Sequence, residues 1–79
     1  MRTWKEDEVL KVATDNNAAE LIMPSGDMVV IDGRRYDGPI HYQEVTFKFG
    51  RTKGSDFVSI KTHGGETKHV EVPVEGGDS

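Results

Sequence analysis

Hydrophobic and polar residues alternate along the second half of the chain. In residues 44–50, the apolar side chains of Val45, Phe47 and Phe49 are separated by polar ones or by glycine. Successive side chains of a β-strand point to opposite faces, so this pattern predicts a strand with one buried face. We therefore expect these three residues to belong to the hydrophobic core.

Two more strands are predicted after this one. Residues 57–61 resume an extended apolar pattern beyond a polar, glycine-bounded turn. The valines of residues 69–75 alternate with other residues, among them Pro73, whose missing backbone donor is tolerated at a sheet edge. The pattern predicts a three-stranded meander over residues 42–75, with its last strand at the edge of a sheet.

Shorter apolar runs occur in the first half. Residues 19–23 and 28–31 predict two strands joined by a turn rich in Pro, Gly, Ser and Asp. Uninterrupted apolar runs indicate burial on both faces, or a strand that crosses between two sheets. Asp32-Gly33 and Asp37-Gly38-Pro39 are typical turn sequences, which leaves a short extended segment at residues 34–36.

Residues 3–13 permit two interpretations. Thr3 and Glu6 have the spacing of a capping box, which predicts a short N-terminal helical turn. The apolar residues that follow also fit a strand over residues 8–14. We favour the strand and keep the helical turn as the alternative.

Strands and turns therefore follow one another at short intervals. Five or six strands predict a mainly β fold, a small antiparallel barrel or sandwich. A chain of 79 residues has room for one hydrophobic core only. We expect a single β-rich domain over residues 1–75 and a flexible C-terminal tail at residues 76–79.

The chain contains no cysteine. Disulfides, thiolate metal sites and cysteine nucleophiles are therefore excluded, and a reducing, cytoplasmic location is the expectation. The longest apolar runs span about four residues, whereas a helix needs about 20 to cross a membrane. We expect no membrane segment and no membrane partner.

The net charge of -4 is unevenly distributed along the chain. Residues 1–33 carry a balance of -4, residues 34–69 a balance of +3, and residues 70–79 a balance of -3. Such asymmetry can steer a charged partner towards one side of the molecule. Whether folding preserves this separation is a question for the tertiary structure.

No residue pattern indicates catalysis or a bound cofactor. The sequence has neither of the glycine-rich phosphate-binding motifs, and its three histidines lack the spacing of metal ligands. Its 14 acidic residues combine in many ways, so they single out no acid–base pair. We expect a non-enzymatic protein with no catalytic residues, no metal and no cofactor.

These exclusions favour a protein-binding module, a small acidic inhibitor or accessory factor of the phage or mobile-element type that acts on host machinery. Acidic side chains, among them Asp15, Asp27 and Asp32, can take the place of nucleic-acid phosphates in a partner's groove. Trp4 either covers one end of the core or anchors the interface, since tryptophan is frequent among interface hot spots. The candidate interface residues are Trp4, Glu6, Asp7, Glu8, Arg34, Arg35 and Tyr36.

Two other functions remain open. Residues 34–63 interleave aromatic and basic side chains, the composition of a surface that stacks bases and neutralises phosphates. The first alternative is therefore a small β-barrel that binds single-stranded nucleic acid, and the second is a structural subunit of a larger assembly, joined through an exposed strand. The sequence leaves the oligomeric state open. The candidate nucleic-acid-binding residues are Tyr42, Lys48, Arg51, Lys53 and Lys61.

Overall fold

The computed structural model describes residues 2–73. These residues form one α-helix and eight β-strands. In chain order the elements are β1 (Thr3–Lys5), α1 (Glu6–Asp15), β2 (Ala18–Pro24), β3 (Met28–Ile31), β4 (Arg34–Tyr36), β5 (Ile40–Tyr42), β6 (Val45–Gly50), β7 (Phe57–Thr62) and β8 (Thr67–Glu71). The tail predicted at residues 76–79 lies outside the described residues.

The strands form two mixed sheets. One has three strands in the order β1-β3-β4, and the other has five in the order β5-β6-β2-β7-β8. β1 is parallel to β3 and β2 is parallel to β6, whereas the remaining pairs are antiparallel. The prediction of a mainly β fold is confirmed. The antiparallel barrel is not, because the sheets are mixed and do not close on themselves.

β2 occupies the centre of the five-stranded sheet. Its Leu21 pairs with Phe47 of β6 on one side and with Ile60 of β7 on the other, and all three side chains are buried. The predicted pairing of β6 with β7 is therefore wrong: β2, the apolar strand from the first half of the chain, lies between them. The β7–β8 hairpin and the edge position of β8 are confirmed.

Residues 8–14 belong to α1, so the strand predicted there is wrong. Val9 and Ala13, four residues apart, lie on one helical face and are both buried. Glu8 accepts a hydrogen bond from the backbone N–H of Lys5 at 3.3 Å, and the acidic first turn suits the positive end of the helix dipole. A helix in this region is confirmed, with ten residues rather than a single turn, but the predicted Thr3/Glu6 capping box is wrong: Thr3 lies in β1, and Lys5 is the N-cap with Glu8 as its acidic partner.

One core cluster joins α1 and both sheets. Val45 and Phe47 are buried in it as predicted, while Phe49 is half-buried and packs against it. The largest fully buried apolar side chains are those of Trp4, Phe47, Leu21, Met23, Ile60, Val9, Val29 and Val58.

Asp27 is an acidic residue buried in this core, with 1% of its surface exposed. It ends the predicted turn between β2 and β3, in which Gly26 has a φ of +92° and the Asp27 N–H donates to the carbonyl of Pro24 at 3.1 Å. Oδ1 accepts a hydrogen bond from the Arg2 backbone N–H at 2.8 Å, and Oδ2 accepts one from the Trp4 indole N–H at 3.0 Å. These bonds offset the cost of removing the carboxyl group from water.

The Arg2 guanidinium extends this anchor to distant parts of the chain. It stacks on the Trp4 ring, with Cζ 3.6 Å from the ring centroid. Its nitrogens donate to Glu8 at 2.6 Å, to Asp56 at 3.2 Å and to the carbonyls of Val72 and Pro73 at 2.8 and 3.0 Å. One side chain thus joins α1, the β6–β7 loop and the segment that follows β8.

Glu6 makes a second link, between α1 and the two sheets. Its carboxylate accepts hydrogen bonds from the Tyr42 hydroxyl at 2.8 Å and from the Asp32 backbone N–H at 3.2 Å. Asp32 and Gly33 have φ values of +54° and +78°, which confirms the hairpin turn predicted from the Asp-Gly pair. The bond to Glu6 raises the pKa of Tyr42 above 10.0, and partial burial and the charge of Asp32 act in the same direction.

Replacing Asp27 by Ala tests the buried anchor. The change leaves the buried indole N–H of Trp4 and the partly buried backbone N–H of Arg2 without their acceptor, and an unsatisfied buried donor costs about 1–3 kcal/mol. We expect the free energy of unfolding to fall by about 2–4 kcal/mol, a large share of the stability of a domain this size. Urea unfolding followed by the fluorescence of Trp4 measures the loss.

Asp37→Ala is the matched control, because Asp37 is exposed. Its free energy of unfolding is expected to change by less than about 0.5 kcal/mol. An Asp27→Ala protein that unfolds at the wild-type urea concentration would contradict the anchor.

Ionisation of the Tyr42 hydroxyl is expected to lower the free energy of unfolding at alkaline pH. Because its pKa is raised, the folded protein favours the neutral phenol. The stabilisation of the folded state by this hydroxyl is therefore complete below the unfolded pKa of about 10, and it is lost as the pH rises through the folded pKa. Titration of the tyrosinate absorbance is expected to show a component above pH 10 that disappears in Tyr42→Phe and moves to lower pH in Glu6→Gln. A component unmoved by Glu6→Gln would refute the role of this bond.

Candidate functional site

A groove lies between α1 and the edge strand β8. Its volume is about 460 Å³. Val12 of the helix forms one apolar wall, and Val70, Val72 and Pro73 form the other. Polar side chains surround these apolar walls, namely Asp7, Glu8, Lys11, Asp15, Asn16 and Glu71.

The strand side of the groove has a free backbone edge. β8 pairs only with β7 among the described strands, and its neighbour Val72 donates to the carbonyl of Asp56 at 2.8 Å. Backbone groups of an antiparallel strand point alternately towards and away from the partner, so residues 68 and 70 face β7 as Val72 faces Asp56. The backbone N–H and C=O groups of His69 and Glu71 therefore point away from the sheet.

Contacts at both ends hold the helix beside the strand. At one end Arg2 bridges Glu8 to the carbonyl of Val72, and at the other Lys68 donates to the side chain of Asn16 at 3.4 Å. The same Arg2 network that surrounds Trp4 therefore also forms one end of the groove.

The rim of the groove is acidic. Glu8 is paired with Arg2, and Lys11 is paired with Asp15 at 2.9 Å, so these charges compensate one another. Asp7 and Glu71 are exposed and take part in no ion pair among residues 2–73. They leave a local excess of negative charge beside the valines.

A second surface is the outer face of the five-stranded sheet. The register places Lys48 of β6 beside Ile22 of β2, and Ile22 beside Ser59 of β7. Because alternate residues point to opposite faces and Leu21 is buried, these side chains point away from Leu21, although Ser59 in the middle of the face is itself buried, with 7% of its surface exposed. We call this surface the open sheet face; it comprises Glu20, Ile22, His41, Thr46, Lys48, Phe57, Ser59, Lys61, Thr67, His69 and Glu71.

Two of the five candidate nucleic-acid-binding residues lie on this face, and a third, Lys53, lies over Phe57 at its end. Lys48 and Lys61 are on it, and Arg51 and Lys53 are in the exposed loop that follows β6. Tyr42 lies on the opposite, inner side, where it packs against the core.

The candidate interface residues are scattered by the fold. Trp4 is fully buried, so it covers one end of the core and is not a surface anchor. Glu6 is bonded to Tyr42 and Glu8 to Arg2, whereas Asp7 is exposed at the rim of the groove. Arg34 and Arg35 are exposed on β4, in the other sheet, and Tyr36 beside them is half-buried against the core.

The acidic side chains that were expected to take the place of nucleic-acid phosphates are not all at the surface. Asp27 is buried and its two oxygens are occupied, so it cannot face a partner. Asp15 and Asp32 are exposed.

Sequence reasoning missed the groove because it assigned its helical wall to a strand. The signal was present: Val9, Val12 and Ala13 have the three- and four-residue spacing of a helical face. The strand wall was identified correctly as the apolar face of the last strand, which contains Val70 and Val72.

Residues 2–73 bring no three His, Asp or Glu side chains together in a group that could hold a metal ion. None of their helical segments has the length and apolar character needed to cross a membrane. Comparisons with known protein families, with curated proteins and with solved structures find no match for this chain.

Proposed function

We propose that the protein is a non-enzymatic protein-binding module that takes up an extended segment of its partner along the edge of β8. The observation that carries this proposal is the backbone edge of β8, which no strand of residues 2–73 covers, beside an apolar groove. An extended peptide can add to such an edge as a further strand. Its backbone would bond to the outward-pointing groups of His69 and Glu71.

Side-chain recognition follows from the position of the groove. Every second side chain of an added strand would point to the inner side of the sheet, into the space between Val70 and Val72 on one side and Val12 on the other. This space is lined by small apolar groups, so it suits aliphatic side chains of moderate size. The intervening side chains of the peptide would lie over the open sheet face.

The charge of the rim selects among such peptides. Asp7 and Glu71 are exposed and outside the ion pairs of the described chain, so they favour a segment that carries Lys or Arg. A basic segment is common in proteins that handle nucleic acids. This supports the narrower proposal of a small acidic inhibitor or accessory factor, of the phage or mobile-element type, that acts on host machinery.

Selection from a random peptide library tests the site without a known partner. Phage-displayed peptides selected on the whole protein are expected to alternate apolar with other residues and to contain Lys or Arg. His69→Pro removes an outward N–H that β7 does not use, and it should weaken a selected peptide about tenfold or more. Fluorescence anisotropy of the labelled peptide gives the affinities.

Three comparisons make the result specific. His69→Ala keeps the N–H and separates the loss of the donor from the loss of the imidazole. Arg35→Pro introduces proline into the edge strand of the other sheet and should leave binding within about twofold. Asp7→Lys with Glu71→Lys should weaken a basic peptide and spare the fold, which circular dichroism checks.

Several outcomes would count against this site. Either of two results would refute the proposed peptide site: the library yields no enriched peptide, or the selected peptides bind His69→Pro as tightly as the wild-type protein. A concentration-dependent dimer in light scattering that His69→Pro dissolves would instead assign the β8 edge to a second copy of the chain.

A further inference from the structure

The open sheet face has the chemistry of a surface for a flexible polyanion. We infer that it binds single-stranded nucleic acid, at a site separate from the groove between α1 and β8. The inference does not rest on the proposed peptide site, because the cations and Phe57 on which it depends do not line the groove; the two surfaces meet at β8, where Glu71 belongs to both.

Folding preserves the charge separation of the sequence only in part, because Glu20 and Glu71 also lie on the open sheet face. Lys48 and Lys61 are exposed on this face, Lys53 is exposed over Phe57 at its end, and Arg51 is exposed in the same loop as Lys53. The acids of α1 lie on the other side of the same sheet, whose inner face packs against the helix. On the strands of this face Lys48 and Lys61 balance Glu20 and Glu71, so the excess of positive charge comes from Arg51 and Lys53 in the loop after β6. Such an excess can neutralise phosphates even though the whole protein is acidic.

Apolar groups lie among these cations. Ile22 is flanked by Lys48 in the register, and Phe57 is half-exposed near the end of the same face. The ammonium group of Lys53 lies 5.1 Å from the centroid of the Phe57 ring. The ammonium lies over the ring, so a base that stacks on this face of Phe57 would displace Lys53 towards the adjacent phosphate, and the two groups together would supply the stacking and charge contacts of surfaces that bind single strands.

The aromatic group favours a single strand over a duplex. Bases in a duplex are stacked on one another and offer no free face to Phe57, whereas an unpaired base can stack on the ring. An acidic protein segment would use the cations but not the ring. A contribution of Phe57 to binding therefore distinguishes a single strand from a duplex and from an acidic protein segment.

Glu20 weakens the attraction of the open sheet face for phosphates. It is the acidic side chain at the centre of the face and lies 3.4 Å from the Lys48 ammonium. A phosphate must compete with this carboxylate for Lys48. Removing the carboxylate should strengthen binding, an outcome that damage to the fold would not produce.

Binding of a labelled oligodeoxythymidine of about 12 nucleotides to the whole protein tests the inference. Anisotropy is expected to show binding at low salt, with a slope of about -2 to -3 in log affinity against log salt for three or four phosphate contacts. Lys48→Glu with Lys61→Glu should lower the affinity more than tenfold. Glu20→Gln should raise it about two- to fivefold.

The matched control is Lys5→Glu with Arg35→Glu, two exposed residues of the three-stranded sheet that change the net charge by the same amount. It should lower the affinity less than about threefold. Phe57→Leu should weaken binding about fivefold or more while leaving the salt slope unchanged. Circular dichroism confirms the fold of each variant.

The inference would be overturned by the absence of binding at low salt, or by equal losses in the two double variants, which would indicate unspecific charge attraction. Equal affinity for a duplex of the same length would reject single-strand recognition. Tighter binding of a poly-glutamate peptide, insensitive to Phe57→Leu, would assign the face to an acidic protein segment.

Discussion

The carboxyl group of Asp27 determines how the two sheets are joined. It stands at the turn where the chain leaves β2 in one sheet and enters β3 in the other, and it holds Arg2 and Trp4 of β1 through two hydrogen bonds. A strand of three residues has few ladder bonds of its own, so β1 needs this support. With Trp4 held in place, its ring fills the space between the sheets.

The consequences of this anchor extend to the surface. Arg2 is positioned by its backbone bond to Asp27 and by the Trp4 ring, and from there it fixes Glu8 of α1 beside the segment that follows β8. The groove between helix and strand thus depends on a buried contact some distance away. The helix in turn covers the inner side of the sheet and leaves the outer side exposed. The groove and the open sheet face thus belong to the same five-stranded sheet and meet at β8.

Much of the local structure followed from residue patterns. Alternation identified Val45 and Phe47 as core residues, and the Asp32-Gly33 pair identified a hairpin turn whose positive φ values the structure shows. The edge position of β8 followed from Pro73. These features succeed because each depends on the side-chain period or on the backbone freedom of a few neighbouring residues. α1 failed because a short apolar run satisfies both helical and strand periods, and only packing against β2 decides between them.

The sequence by itself determined the strand-rich composition, the turns, the apolar faces and the uneven charge. Tertiary structure alone decided that β2 inserts between β6 and β7, because neighbouring strands in a sheet need not be neighbours in the chain. It also decided that Trp4 and Asp27 face inward, since a buried hydrogen bond across 23 positions has no local signature. The two candidate surfaces have the same origin. Each combines residues from distant segments, and only the pairing of those segments brings the residues together.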